Sequence, residues 1–215
     1  MEKKTTYADE RAARREIVRW GKELYDQGLV KGSGGNLSIR LEDGTVLMTP
    51  TGWFLGHMTE ECLSRIDMDG NLLEGEKPTK EVPLHLDVYR ERPDVRAVCH
   101  THSVYATAFA SAAEPDTLMP IYTPSVAAQV GPVLVTAYAM PGSEALGENV
   151  RRGIRRSNGT LLSNHGVVAV GSTMTDAVSV ANEIENNAMI HFIARGQARA
   201  LPEDVVAELN KKLSF

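Results

Sequence analysis

The segment Arg96-Ala97-Val98-Cys99-His100-Thr101-His102-Ser103 constrains this chain more than any other: it is an apolar run that ends in two histidines one residue apart. Successive side chains of an extended strand point to opposite faces, so His100 and His102 project to the same side, about 7 Å apart along the chain. Imidazole nitrogens suit zinc and other transition metals, but two of them leave a tetrahedral ion short of ligands. His165 is the best third candidate, in Leu161-Leu162-Ser163-Asn164-His165-Gly166, where another apolar strand ends in a polar turn. A His-x-His alone also reads as two polar residues at an exposed strand end. Two strand ends offering histidines, each followed by small residues, favour the metal.

Length matters here because a site shared by distant strands needs one core. With 215 residues and no linker or low-complexity break, residues 1–215 are expected to form a single domain. The formal net charge of -5 and the scattered basic residues give no reason to expect nucleic acid. Arg151-Arg152 and Arg155-Arg156 recur at helical spacing and read first as a solvated helix face, second as a phosphate site. Cys62 and Cys99 fall in different elements and suggest no disulfide framework, which suits a reducing compartment. The start, Met1-Glu2-Lys3-Lys4, runs straight into charged residues, and no apolar run reaches the eighteen or so residues of a span. A cytoplasmic protein without membrane contact is expected.

An amphipathic helix is expected from about Ala8 to Gln27, on Ile17, Trp20 and Leu24, with Gly28 ending it. Gly32-Ser33-Gly34-Gly35-Asn36 follows, a glycine-rich turn that reads equally as a plain connection or as an anion cradle. Leu37–Arg40 and Val46–Thr49 form a hairpin across Glu42-Asp43-Gly44, and Leu63–Asp67 and Asn71–Leu73 form another. Thr49-Pro50-Thr51-Gly52 between them is rich in hydroxyl and amide donors and suits a second wall for that anion. Val82 to Tyr89 is a helix with Pro83 in its first turn, which places Thr79, Lys80 and Glu81 at its start, where anions are favoured. His85, one turn beyond Glu81, reads as a hydrogen-bonded structural histidine ahead of a fourth ligand. Further along come a helix over Val104–Ala112, an irregular stretch over Pro120–Gly131 and a strand over Val133–Thr136. Ser143 caps a helix to Arg155, and strands follow at Thr160–Ser163 and Val167–Val170. Thr175 is expected to cap a helix over Asp176–Arg195, with Glu183, Glu185 and His191 as surface or interface residues ahead of ligands, before a tail helix over Pro202–Leu213.

Five motifs in this order, Gly34-Gly35-Asn36-Leu37-Ser38, Thr49-Pro50-Thr51-Gly52, Lys77-Pro78-Thr79-Lys80-Glu81, His100-Thr101-His102-Ser103 and Asn164-His165-Gly166, resemble one family. It is the class II, metal-dependent sugar-phosphate aldolases, with their epimerase, decarboxylase and adducin-head relatives. The resemblance runs from about Arg15 to Leu209. It implies an α/β class, an α/β/α sandwich around a largely antiparallel central sheet, and a homotetramer with sites at subunit boundaries. By the same resemblance His100, His102 and His165 match metal ligands, and Glu81 matches an acid/base that is a further ligand without substrate. Gly35, Asn36, Thr51, Gly52, Thr79 and Lys80 fall where the family binds a substrate phosphate. The ion implied is divalent, zinc first, with manganese or another metal open.

Aldolases of the family usually carry two serines before the glutamate, and the ribulose-phosphate epimerases an aspartate in its place. Thr79-Lys80-Glu81, with Leu55-Gly56 and Pro141-Gly142, is more similar to the 3-oxo-tetronate 4-phosphate decarboxylases. That subgroup tends to have a tyrosine after Thr-Pro and a later arginine, where this chain has Ser125 and Gln129; Tyr122 is the nearest candidate acid/base. The expected activity is therefore carbon–carbon cleavage of a small phosphorylated sugar or sugar acid through an enediolate, decarboxylation first and fuculose-1-phosphate-type aldol cleavage second. Glu81 would need a raised pKa to act as an acid. A non-catalytic adducin-head-like module is the reading from another class.

Overall fold

The computed structural model describes residues 9–211 and 213. Its first helix, α1, spans Glu10–Asp26 with Asp9 accepting from the Arg11 amide as N-cap. Two hairpins follow, β1 (Asn36–Arg40) with β2 (Val46–Met48), and β3 (Ser64–Ile66) with β4 (Leu72–Glu74). Then come α2 (Val82–Glu91), β5 (Ala97–Thr101), α3 (Val104–Ala112), α4 (Pro124–Gln129) and β6 (Leu134–Thr136). The chain closes with α5 (Glu144–Ile154), β7 (Gly159–Leu162), β8 (Gly166–Gly171), α6 (Met174–Ile193) and α7 (Glu203–Asn210).

Among the described residues the strands make one sheet in the order β4-β3-β2-β1-β5-β8-β7-β6. Every pairing in it is antiparallel except β6 with β7, so the largely antiparallel sheet and the α/β/α layering hold. Helices cover both faces. On one, Ile17 of α1, Phe109 of α3, Val126 of α4 and Ile184 of α6 pack on Leu37, Ile39, Cys99 and Val167. On the other, Leu84 and Val88 of α2 and Val150 of α5 pack on Met48, Val98, Val168 and Val170. Strands buried on both sides read as unbroken apolar runs, which is why Val167 to Val170 shows no alternation. Exposing any one of these side chains forfeits about 1.5–3 kcal/mol of burial.

Three expectations need correction. The stretch over 120–131 is not wholly irregular: α4 starts at Pro124, with Thr123 accepting from the Val126 amide as N-cap. Proline is at home in a first helical turn, and a helix of six residues leaves little periodicity to read. The long helix begins at Met174, not after Thr175, because Thr173 and Asp176 form a reciprocal capping box. Glu185 is buried, not a surface residue; its carboxylate accepts from the amides of Tyr105 and Ala106 and so caps α3 from across the core. The expected start of α1 at Ala8 lies outside the described residues, and Gly28 beyond its end takes φ +76°. Cys62 and Cys99 are free thiols.

Candidate metal centre

Four side chains meet where β5, the β7–β8 turn and the start of α2 converge. His100 sits in β5 opposite Val168 of β8, and His102 lies one residue past the strand end. The turn between β7 and β8 is tight, with Asn164 at φ 55° and the His165 amide bonded to the Leu162 carbonyl, so His165 returns over the end of β5. Glu81 is the N-cap residue of α2, yet its side chain does not cap the helix. It points instead at the histidines.

The ligand atoms of Glu81, His100, His102 and His165 all lie within 4.8 Å of one another. The imidazole centroids form a near-equilateral triangle, at 4.8, 4.8 and 5.1 Å. Glu81 Oε2 is 3.3 Å from His100 Nε2, and Glu81 Oε1 is 3.3 Å from His165 Nε2. His100 Nδ1 lies 2.7 Å from the Val167 carbonyl, which can only accept, so Nδ1 carries the hydrogen and Nε2 turns its lone pair inward. His102 Nε2 stands 3.0 Å from that lone pair. Glu81 Oε1 and His165 Nδ1 are buried with no hydrogen-bond partner. Converging imidazole lone pairs beside an unsatisfied carboxylate oxygen fit a divalent metal, and the Val167 carbonyl is the outer partner that such a histidine normally has.

The electrostatics follow from this crowding. Burial alone disfavours the Glu81 carboxylate, but the neighbouring His100 and His165 rings and the hydrogen bond from Asn36 outweigh it and hold the carboxyl well below its usual range. The raised value expected of an acid is therefore not what the structure has. Burial, with the neighbouring His100 and His165, pushes the His102 imidazolium down to about 3 although its outer side meets solvent. Together they leave a Glu81 carboxylate and a neutral His102 nitrogen, the forms that bind metal.

The expected phosphate residues lie on segments stapled to one another. Pro50 and Pro78 form an antiparallel bridge, the Thr51 amide donates to the Lys77 carbonyl, and the Thr79 amide donates to the Thr49 carbonyl. This places Thr51 and Gly52 alongside Thr79 and the exposed Lys80, next in sequence to Glu81. Thr51, Gly52, Trp53, Phe54 and His57 line a shallow pocket there. Gly34 and Gly35 lie against the histidine strand: a Cβ on Gly34 would stand 2.9 Å from His102 Nδ1, and one on Gly35, at φ +77°, 2.8 Å from the His100 carbonyl. Asn36 donates through Nδ2 to Glu81 Oε2 at 2.7 Å, a contact the sequence did not suggest.

Other candidates stand apart. The Tyr122 hydroxyl bonds His191 Nδ1 at 2.7 Å and its amide bonds Asn187, so its polar contacts run to α6 and not to the histidines. Gln129, on α4 with Ser125, accepts from Ser179 of α6. Arg151, Arg152 and Arg155 pair with Asp87, Asp116 and Glu91, and so form a paired helix surface. A cavity of 380 Å³ lined by Arg92, Asn158 and Ser172 among others contains none of the clustered ligands.

Residues 15–192 match the class II aldolase and adducin N-terminal domain. The chain belongs to this family. Among its curated class II aldolase relatives, the 3-oxo-tetronate 4-phosphate decarboxylase of Haemophilus influenzae is 39% identical over 199 residues, covering 91% of this chain and 95% of that one. An L-fuculose phosphate aldolase of Methanococcus maripaludis is 39% identical over 171 residues, covering 79% of this chain and 91% of that one. Among solved structures, YgbL of Klebsiella pneumoniae, described as an aldolase/epimerase/decarboxylase, superposes with a TM-score of 0.88 at 37% identity, over 93% of this chain and 98% of that one.

Proposed function

We propose that this class II aldolase-family protein is a divalent-metal-dependent carbon–carbon lyase that decarboxylates 3-oxo-tetronate 4-phosphate to dihydroxyacetone phosphate and carbon dioxide. The observation that carries the reading is the Glu81, His100, His102, His165 cluster, which directly adjoins the stapled Thr51 and Thr79 segments. The decarboxylase relatives at 39% and 40% identity over more than nine-tenths of the chain support the substrate.

The three histidines and Glu81 would hold the ion, and three imidazoles with one oxygen ligand suit zinc first and manganese second. When bound, such an ion supplies Lewis-acid stabilisation of charge developing on the substrate's oxygens, worth several kcal/mol. The chain's residues do the rest. Thr51, Gly52, Thr79 and Lys80, with Gly35 and Asn36, fix the phosphate, so that the carboxylate to be lost is oriented. The bond between that carboxyl carbon and the hydroxyl-bearing carbon breaks, and its electron pair stays beside the ketone as an enediolate. Glu81 Oε1, which no group of the chain engages by hydrogen bond, is the oxygen through which a solvent proton would be relayed to that carbon. Tyr122 keeps a place in this scheme only through movement away from His191.

The L-fuculose phosphate aldolase relatives favour a second reading, aldol cleavage, in which an aldehyde leaves instead of carbon dioxide. The adducin-head-like module is disfavoured because all four candidate ligands are present and assembled. We further propose that residues 1–215 act as one domain in a cytoplasmic homotetramer. Exposed Val104, Tyr138, Met140 and Ile193 offer apolar surface for such contacts, and no described helix is long and apolar enough to cross a membrane.

The test is carbon dioxide release from metal-replete protein with 3-oxo-tetronate 4-phosphates of both configurations, with dihydroxyacetone phosphate measured alongside. Equal amounts of both products are expected. Neither product, from protein that holds its metal, would remove the decarboxylase and make an aldehyde screen with dihydroxyacetone phosphate the next assay.

A further inference from the structure

Behind Glu81 lies a buried polar chain that the proposed chemistry does not use. On β1, alternation sends Asn36, Ser38 and Arg40 to the α2 side of the sheet. On α2, Glu81, His85 and Tyr89 recur every fourth residue on one face. Four helical residues rise about 6.0 Å and two strand residues about 6.8 Å, so the two rows meet rung for rung. Asn36 Nδ2 bonds Glu81 Oε2 at 2.7 Å, Asn36 Oδ1 meets His85 Nε2, and His85 Nδ1 and the Tyr89 hydroxyl each lie 2.7 Å from Ser38 Oγ. Ser38 and His85 are wholly buried, and Tyr89, Asn36 and Glu81 nearly so.

Every hydrogen in this chain can be placed. A carboxylate only accepts, so Asn36 shows Glu81 its amide nitrogen and shows His85 its oxygen. His85 Nε2 must then carry the hydrogen, and Nδ1 accepts from Ser38. Ser38 in turn accepts from Tyr89. All four donations run toward Glu81, and hydrogen bonds in such a row polarise one another. Burial, with the neighbouring His100, pushes the His85 imidazolium down to about 3, consistent with a neutral ring of fixed tautomer. Glu81 Oε1 stays outside the chain, with no hydrogen-bond partner.

We propose that His85 and Ser38 are positioning residues which, through the Asn36 amide, hold Glu81 Oε2 and reserve Oε1 as the oxygen that works on substrate and metal. The inference rests on the lyase reading given above. It also limits Asn36: with Oδ1 and one Nδ2 hydrogen engaged, a single N–H is left for a phosphate.

The experiment compares His85→Leu, His85→Gln, Ser38→Ala and Tyr89→Phe with the wild type. It reads kcat and KM on 3-oxo-tetronate 4-phosphate, Zn²⁺ affinity of the metal-stripped protein, and the His85 tautomer by nitrogen-15 NMR. His85→Leu is expected to lower kcat and Zn²⁺ affinity each by about 10- to 100-fold with KM unchanged, the usual cost of losing an outer partner. His85→Gln, which keeps a terminal N–H and an acceptor, restores most of both. Ser38→Ala falls between, since Nδ1 loses its donor while Asn36 Oδ1 still holds the hydrogen on Nε2. Tyr89→Phe costs least, because Ser38 keeps its hydrogen for His85. A folded His85→Leu with wild-type kcat and Zn²⁺ affinity would overturn the proposal, as would a wild-type His85 protonated at Nδ1. Should His85→Leu fail to fold, Ser38→Ala decides: weakened Zn²⁺ binding with the hydrogen still on His85 Nε2 supports the chain, and unchanged Zn²⁺ binding refutes it. Absence of turnover in the wild type would strike the lyase reading alone, because tautomer and Zn²⁺ affinity are read without substrate.

Discussion

Asn36 and His100 are directly opposed partners on β1 and β5, so the strand that carries the innermost candidate ligand also fixes the residue that grips Glu81. Backbone pairing thus sets the spacing between two imidazoles and the carboxylate before any ligand arrives. Such rigidity is what a metal site with a defined open position needs.

His102→Ala removes the nitrogen 3.0 Å from His100 Nε2 and opens the cluster to solvent. Metal content of the purified variant is expected to fall to background, with activity lost alongside. Elemental analysis showing a full complement would eliminate His102 as a ligand.

Glu81→Gln keeps an oxygen to accept from Asn36 and so should fold and retain metal. Turnover is expected to drop by about 10²- to 10⁴-fold, the range for losing a positioned acid/base. Unchanged kcat would assign the proton transfer elsewhere.

Lys80 is exposed beside Thr79, where it would bring a cation to the proposed phosphate wall. For Lys80→Ala the expected change is a raised KM for phosphorylated substrate at nearly constant kcat. An unmoved KM would take Lys80 out of the binding site.

Gly142 has φ +80°, and a Cβ there would stand 2.9 Å from the Lys80 carbonyl. Gly142→Ala should therefore cost about 1–2 kcal/mol from the backbone alone. It should also push Lys80 and Glu81 out of place, so that KM rises with the loss of stability. Urea melts together with substrate kinetics test this, and a variant altered in neither would show the turn to be slack.

The pH dependence of stability follows from His85. Its imidazolium is depressed to about 3 in the fold from an ordinary value of 6.5. As pH falls through that window the unfolded chain takes a proton that the folded one refuses. Stability therefore declines by about 1.4 kcal/mol per pH unit on this account, and it recovers as pH rises. His85→Gln removes that proton, so the gap in unfolding free energy between variant and wild type should narrow by about 2 kcal/mol between pH 7 and pH 5. A gap that stays constant would mean His85 is charged in the fold.

Much of this was legible before any coordinates. Period-two alternation put His100 and His102 on one side, turn residues marked both hairpins, and apolar runs marked the central strands. What escaped were features set by neighbours distant in sequence. Glu185 reads as a surface residue because nothing near it announces the start of α3 that it caps. The Asn36 contact was missed although both rows, at 36, 38, 40 and 81, 85, 89, were there to be counted. Each row looks ordinary alone, and only their juxtaposition gives the second one meaning. The α4 start was hidden by Pro124, which signals a break and a beginning alike.

The match between those rows carries its own limit. Helix and strand behave as the two scales of a vernier, aligned at Asn36 and Glu81 and drifting by about 0.8 Å with each rung. By the third rung the pairing has changed character: Arg40 reaches the Tyr89 carbonyl with its guanidinium and covers the ring at 5.1 Å, and no further hydroxyl joins the row. A relay of this construction can be about three rungs long and no more, so lengthening either element would add helix or strand without adding reach to the carboxylate.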